Sequence, residues 1–224
     1  MNNTAENNSK NSNDINENSK SLRKLSVVVS VYNEEKALRE FYKETNKILE
    51  QIKKSGWEHE LIFVNDGSAD NSLSILEELA KEDHDVKLIS FSRNFGHEAA
   101  MIAGIDHSTG DGIICMDADL QHPPECIPKI IEKFDAGYEV INMVRTKNES
   151  AGLIKNITSS GFYWLINHIS DVHFEPNASD FFAISRHVAQ VLKDNYREKV
   201  RFLRGYVQNV GFKKTNIEYE ARAR

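Results

Sequence analysis

Asp117 and Asp119 stand two apart where the apolar run Ile113-Ile114-Cys115-Met116 gives out. That run has the character of a buried strand, and side chains two apart on a strand share a face. Two carboxylates held side by side repel each other unless a cation joins them. Hard oxygen ligands of this kind suit Mg²⁺ or Mn²⁺, and Mg²⁺ is commonly held by one or two carboxylates plus substrate phosphates. The pair therefore suggests metal-assisted handling of a diphosphate. The alternative is a polar loop whose aspartates are simply solvated.

The elements that must position these acids follow a repeating plan. Leu25 to Val31 is a short continuous apolar run, as in a strand buried on both faces. Asn33-Glu34-Glu35 opens a helical stretch to about Lys54, with Leu38, Phe41, Tyr42, Thr45, Ile48, Leu49 and Ile52 at helical spacing. The unit then recurs. Strands are predicted over Glu60–Val64, Val86–Ser90, Ile113–Met116 and Tyr138–Val144. The helices between them run from Asp70 or Asn71 to Lys81, from His97 to Ser108, and from Pro123 to Ala136. This alternation predicts an α/β fold: a mostly parallel central sheet with helices on both faces. Ligands of such sheets sit beyond the carboxyl ends of the strands. There the sequence gathers Tyr32 to Glu35, Asn65 to Ser68, Arg93 to Glu98, Asp117 to Gln121 and Arg145.

Bulk properties narrow the classes. The 224 residues, 40% of them hydrophobic, suffice for one core. Residues 1–21 are Asn- and Ser-rich and are expected to be a disordered tail, leaving 22–224 as one catalytic domain. The formal net charge of −6 argues against a nucleic-acid partner. Cys115 and Cys126 form neither a metal-spaced pair nor a disulfide framework, which points to a reducing compartment. No apolar run approaches the ~20 residues of a membrane span. Lys193 to Arg224 holds nine Lys or Arg against four Asp or Glu, suiting an anionic membrane surface, a phosphate ligand or a solvated helix face. Lys147 to Gly152 reads as a mobile loop. Leu153 to Ile169 is an amphipathic aromatic segment that either lies on the bilayer interface or packs over the sheet.

Four blocks carry a family likeness: Val27-Val28-Val29-Ser30-Val31-Tyr32-Asn33-Glu34-Glu35, Val64-Asn65-Asp66-Gly67-Ser68-x-Asp70, Ser92-Arg93-Asn94-Phe95-Gly96-His97-Glu98-Ala99-Ala100 and Met116-Asp117-Ala118-Asp119-Leu120-Gln121-His122-Pro123-Pro124-Glu125. In this order and spacing the chain resembles family 2 glycosyltransferases of the GT-A (Rossmann-like) fold, and within them the polyprenyl-phosphate hexosyltransferases similar to dolichol-phosphate mannose synthase. The resemblance implies inverting transfer of one hexose, glucose or N-acetylglucosamine being favoured, from a UDP-sugar to a polyprenyl (undecaprenyl or dolichyl) phosphate. It implies that Asp66 meets the nucleobase, accepting the N3–H of uracil, and that Tyr32 and Glu34 line base and ribose. Asn65 to Ser68 also reads as an ordinary turn with Asp70 capping the next helix. Asp117, Asp119 and Gln121 match the metal and sugar-phosphate site, with Asp119 at the reacting centre and Mg²⁺ or Mn²⁺ as cofactor. Arg145 matches the arginine that grips the diphosphate. Arg93 is a second candidate there, or a surface ion pair.

On the acceptor side, Ala178-Ser179-Asp180-Phe181-Phe182 aligns with the family's Gly-Asp-Phe-Arg-Leu block, and Asp180 is its candidate catalytic residue. A phosphate acceptor is already ionised near neutral pH, its second pKa being about 6, so positioning and charge neutralisation outweigh base strength. Lys155, Arg201 and Arg204 are candidates to hold it. Three positions depart from the pattern. Ser30 replaces a usual proline. His97 replaces a common lysine, an exchange expected to make donor binding pH-sensitive. Phe182 replaces an arginine, removing one expected cation. The end of the chain, Glu218 to Arg224, matches the segment before a motif that usually leads to transmembrane helices. The resemblance thus implies a piece truncated before them, which binds donor and transfers poorly.

The implied partners are a nucleotide-sugar donor, a polyprenyl-phosphate acceptor and a membrane surface, with self-association left open. The implied location is the cytoplasmic face of the cell membrane, on which this chain would be soluble or peripheral. Two other readings stay open: the same fold acting on a sugar hydroxyl in polysaccharide synthesis, and a catalytically weak module that binds nucleotide-sugar or docks on a membrane. A Rossmann dehydrogenase is disfavoured because no Gly-x-Gly-x-x-Gly follows the first strand.

Overall fold

The computed structural model describes residues 23–146, 178–196 and 202–222. The amino-terminal tail, the loop from Lys147, the Leu153–Ile169 segment, Lys155 and Arg201 lie outside the described residues. The elements in chain order are β1 (Arg23–Val31), α1 (Leu38–Lys53), β2 (Trp57–Asn65), α2 (Ser72–Glu82), β3 (Val86–Ser90), α3 (His97–His107), β4 (Gly112–Asp117), α4 (Ile127–Asp135), β5 (Val140–Arg145), β6 (Ala178–Ser185), α5 (Arg186–Asn195), α6 (Leu203–Asn209) and β7 (Lys214–Tyr219).

The strands form one seven-stranded sheet in the order β3-β2-β1-β4-β6-β5-β7. All pairings are parallel except those of β6, which runs antiparallel to β4 and to β5. The carboxyl ends of six strands therefore share one edge, and the amino end of β6 joins them there. Because successive side chains face opposite ways, each strand feeds both faces. Val27, Val29 and Val31 pack with Phe41 and Leu49 of α1, Leu76 of α2 and Ile130 of α4. Val28 packs with Met101 of α3, Leu192 of α5 and Leu203 of α6 on the other face. Helices cover both faces, as the sequence predicts. Both cysteines are free and buried.

Strand ends shift by up to three residues from the sequence reading, β2 starting at Trp57 and β5 at Val140, and three differences are larger. Residues 33–37 form turns and α1 begins at Leu38; Asn33 sits at φ 56°, outside any helix. The fourth helix is split into a 3₁₀ turn, Pro124–Cys126, followed by α4. The third difference is the chain after β5, which among the described residues adds an antiparallel strand, two helices and an edge strand. Phe181–Ile184 and the alternating burial of Ile217 and Tyr219 are the sequence signals for the two strands.

At the opposite, amino edge of the sheet, the Glu60 carboxylate is 1% exposed. It accepts hydrogen bonds from Ser26 Oγ, Thr109 N, Thr109 Oγ1 and Lys87 Nζ, and Lys24 Nζ stands 3.0 Å away.

Candidate active site

The loops after β1 and β2 are laced together at the carboxyl edge. The Asn33 N–H donates to Ser68 Oγ (3.0 Å), and Asn33 Oδ1 accepts from the Ala69 N–H (2.8 Å). The Glu34 N–H donates to Ser72 Oγ, and Glu35 Oε2 accepts from both nitrogens of Asn71. The Ser68 N–H donates to Asn65 Oδ1 in the first turn; the helix N-cap is Asn71 and not Asp70 as expected, while Asp70, one residue earlier, accepts from the Ser72 and Glu35 amides. Gly67, at φ 67°, lets the second loop touch the loop after β3, and a Cβ there would stand 2.3 Å from the Arg93 carbonyl carbon. We expect Gly67→Ala to push these loops apart and weaken binding of UDP about tenfold or more in calorimetric titration. Unchanged affinity would show that the loop contact does not shape the cleft.

Between these loops lies an open cleft of about 260 Å³, lined by Tyr32, Glu34, Asp66, His97, Asp117 and Asp119 among others. Asp66 is 2% exposed, and its two oxygens accept the amides of Phe95 (2.7 Å) and Gly96 (2.9 Å). The acid expected at the base thus also fixes the start of α3. A carboxylate has about four lone-pair sites, so one further donor is still accommodated.

His97 in the first turn of α3 reaches Asp117 at the end of β4, Nε2 to Oδ1 at 2.8 Å. Burial alone would lower the His97 pKa; the hydrogen bond and charge of Asp117, with Asp180 and Glu98 behind it, outweigh that and raise it. His97 therefore keeps part of the cationic character of the lysine it replaces. Burial would raise the Asp117 pKa, but the contacts with His97 and His122 hold it below the usual carboxylate range. The Asp117 N–H donates to His122 Nδ1 (3.0 Å), which places the His122 proton on Nε2. Burial keeps the His122 pKa low despite the surrounding aspartates. Its ring stacks on Phe181 at 5.0 Å and meets the edge of Tyr219.

Asp119 Oδ1 accepts the Gln121 amide (3.1 Å), closing a tight turn through Leu120 at φ 63°. Among the described residues no lysine or arginine pairs with Asp117 or Asp119. Two partly exposed carboxylates facing one cleft, with only imidazole beside them, fit a hard divalent cation. A second acidic cluster, Glu50, His59 and Asp85, could also hold a metal by its spacing. It lies at the amino edge of the sheet, and the Lys53 ammonium stands 3.5 Å from Glu50 and 3.4 Å from Asp85. It is not part of the cleft.

Antiparallel insertion of β6 brings Asp180 to the edge where Asp117 stands. The ladder with β4 runs as far as Cys115 opposite Phe182, and just beyond it the charge of Asp180 reaches His97 and His122, the two imidazoles that contact Asp117. Arg204 of α6 donates to Asp180 Oδ1 from Nη2 (2.6 Å) and Nε (3.1 Å). Phe182, where the family has arginine, is 4% exposed in the core facing α3 and α5. The cation beside Asp180 comes from α6 instead. Arg145 is exposed at the end of β5. With β6 between them, β5 and β4 lie roughly 9.5 Å apart, so Arg145 flanks the acids rather than touching them. Arg93 stacks on Phe95 at 3.9 Å and donates to Asn94 O, an arrangement confined to its own loop. His122 and Glu98 were given no role in the sequence reading; both sit inside quoted blocks, but their partners are not legible there.

The family model described as glycosyl transferase family 2 matches residues 26–192. The chain belongs to this family. It is 44% identical over 194 residues to the uncharacterized glycosyltransferase YkcC of Bacillus subtilis (strain 168), an alignment covering 87% of this chain and 59% of the relative. It is 43% identical over 196 residues to a prophage bactoprenol glucosyl transferase homolog of Escherichia coli (strain K12), covering 88% and 63%. The chain thus spans about three-fifths of the length of these curated relatives. Among solved structures, glucosyl-3-phosphoglycerate synthase from Mycobacterium tuberculosis in complex with Mn²⁺, UDP-glucose and phosphoglyceric acid superposes with a TM-score of 0.59 at 16% identity, covering 90% of this chain and 71% of that one. That likeness establishes the GT-A fold.

Proposed function

We propose that residues 22–224 are the catalytic domain of an inverting hexosyltransferase that moves glucose from UDP-glucose to a polyprenyl phosphate at the cytoplasmic face of a membrane. The observation that carries this reading is the gathering of Tyr32, Glu34, Asp66, Asp117 and Asp119 in one cleft at the carboxyl edge of the sheet, with Asp180 near enough for its charge to act on His97. The likeness to the Escherichia coli bactoprenol glucosyl transferase homolog supports the glucose donor and the lipid acceptor. Among the described residues no helix is long and apolar enough to cross a membrane.

The chemistry follows from charge. Tyr32, Glu34 and Asp66 hold the nucleoside; Asp117, Asp119 and Gln121 would hold Mn²⁺ or Mg²⁺. When bound, the metal neutralises the leaving diphosphate as a Lewis acid. An oxygen of the acceptor phosphate attacks the anomeric carbon from the face opposite UDP. The glycosidic C–O bond breaks and its electron pair leaves with UDP, inverting the centre. The attacking oxygen carries no proton near neutral pH, so Asp180 orients rather than deprotonates, with Arg204 fixing it. Arg145 would steady the departing phosphates.

Titration of UDP and GDP, each with Mn²⁺ and again with EDTA, tests the donor half. Metal-dependent UDP binding is expected; preference for GDP would move the donor class. Transfer from radiolabelled UDP-glucose to undecaprenyl phosphate tests the whole, and labelling only of sugar hydroxyls would sink the lipid acceptor. Arg145→Ala should weaken UDP roughly tenfold while leaving uridine nearly unchanged, because the contact is to phosphate. Equal losses would place the residue elsewhere.

A further inference from the structure

Helix α6 begins without a cap of its own: Phe202 at its N-cap offers no side-chain acceptor. The first amides of a helix have no intrahelical partner, and here one is satisfied from a distant element. Glu98, in the first turn of α3, accepts the Leu203 N–H through Oε2 at 2.7 Å, across 105 residues of sequence. The next residue along, Arg204, is the one that donates twice to Asp180. The residue before Glu98, His97, holds Asp117, and the amides of Phe95 and Gly96 hold Asp66. Four consecutive residues thus touch the base-side acid, the metal-side acid and the acceptor-side helix.

We propose that Glu98 is a positioning residue for the acceptor: it seats α6 so that Arg204 holds Asp180 at the edge where Asp117 stands. The inference rests on the reading of Asp180 as the acceptor-side residue. Leu203 and Val207 anchor the other side of α6 in the core, so removal of the Glu98 carboxylate loosens the start of the helix without unfolding it. A glutamine there keeps an oxygen for the same N–H, whereas alanine does not. Loss of a capping acceptor is a modest local effect, and it falls on the turn that carries Arg204.

The test compares the unsubstituted chain with Glu98→Ala and Glu98→Gln by three readouts. These are amide exchange over 203–207, affinity for UDP with Mn²⁺, and affinity for farnesyl phosphate with UDP and Mn²⁺ present. Glu98→Ala is expected to speed exchange in 203–207 and weaken farnesyl phosphate about tenfold, with UDP within twofold; Glu98→Gln restores both. Three results overturn the proposal: unchanged exchange and farnesyl phosphate binding in Glu98→Ala, an equal loss of UDP, or failure of Gln to rescue. If the unsubstituted chain binds UDP but not farnesyl phosphate, the acceptor reading itself falls and takes the proposal with it. If it binds both and only the Ala variant is silent, the acceptor reading stands and Glu98 alone is excluded.

Discussion

Asp119→Ala is expected to abolish the Mn²⁺-dependent part of UDP binding while leaving the thermal midpoint where it was. The side chain is only partly buried, lies past the end of β4 and, among the described residues, accepts a hydrogen bond only from the Gln121 amide in its own turn. Its removal therefore costs little of the core. Its negative charge has no lysine or arginine to balance it among the described residues. Asp119 and Asp117 carry like charge, and a divalent cation held by the two carboxylates would turn that repulsion into attraction and supply positive charge for the diphosphate. Loss of one of two carboxylate ligands should weaken UDP·Mn²⁺ on the order of a hundredfold, about 2.7 kcal/mol. Binding of UDP in EDTA should hardly change, since no metal then mediates it. Calorimetric titrations of both proteins, with Mn²⁺ and with EDTA, give the four affinities. Equal affinity of the two proteins in Mn²⁺ would remove Asp119 from the metal site, and a lowered thermal midpoint would mean that the turn is structural after all.

The same contrast between edge and core decides what the sequence reveals. Strands β1 to β4 are legible because a parallel strand covered on both faces must be a short apolar run, and turn residues bound it. Their carboxyl ends then name the cleft, and Tyr32, Glu34, Asp66, Asp117 and Asp119 do line it. Strand β6 starts with Ala178-Ser179-Asp180, polar enough to pass for loop, and its place between β4 and β5 depends on a chain return no local pattern encodes. That insertion brings Asp180 to the edge where Asp117 stands, near enough to act on His97, and at the same time sets Arg145 two strands away. Contacts such as Glu98 to Leu203 are invisible for a related reason: a carboxylate that caps a helix 105 residues later has no local periodicity. Arg93 illustrates a contact that charge alone does not foretell. It has the charge for a diphosphate, but its guanidinium donates to Asn94 O and lies over the face of Phe95, both in its own loop.

Glu60→Ala should cost about 3 kcal/mol of folding stability, the largest loss expected from any single polar residue away from the cleft. Burial alone would raise the Glu60 pKa. Hydrogen bonds from Lys87, Ser26, Thr109 and Lys24 outweigh it and hold the pKa down from 4.5 to about 2. Alanine would leave the Thr109 amide and the Ser26 hydroxyl of this cluster short of an acceptor, while the two lysines turn to water. Glu60→Gln keeps an oxygen for Thr109 but forfeits the charge, so its cost should be roughly half. The sign of the pH dependence follows from the depressed value. Folding binds the deprotonated form more tightly, so the contribution is complete above the unfolded pKa of 4.5 and drains away as pH falls towards 2. Urea unfolding at pH 7 and pH 3 measures it: the gap between the parent chain and Glu60→Ala should narrow at the lower pH. A gap that stays constant would mean that packing around the side chain, and not its charge, holds the amino edge of the sheet together.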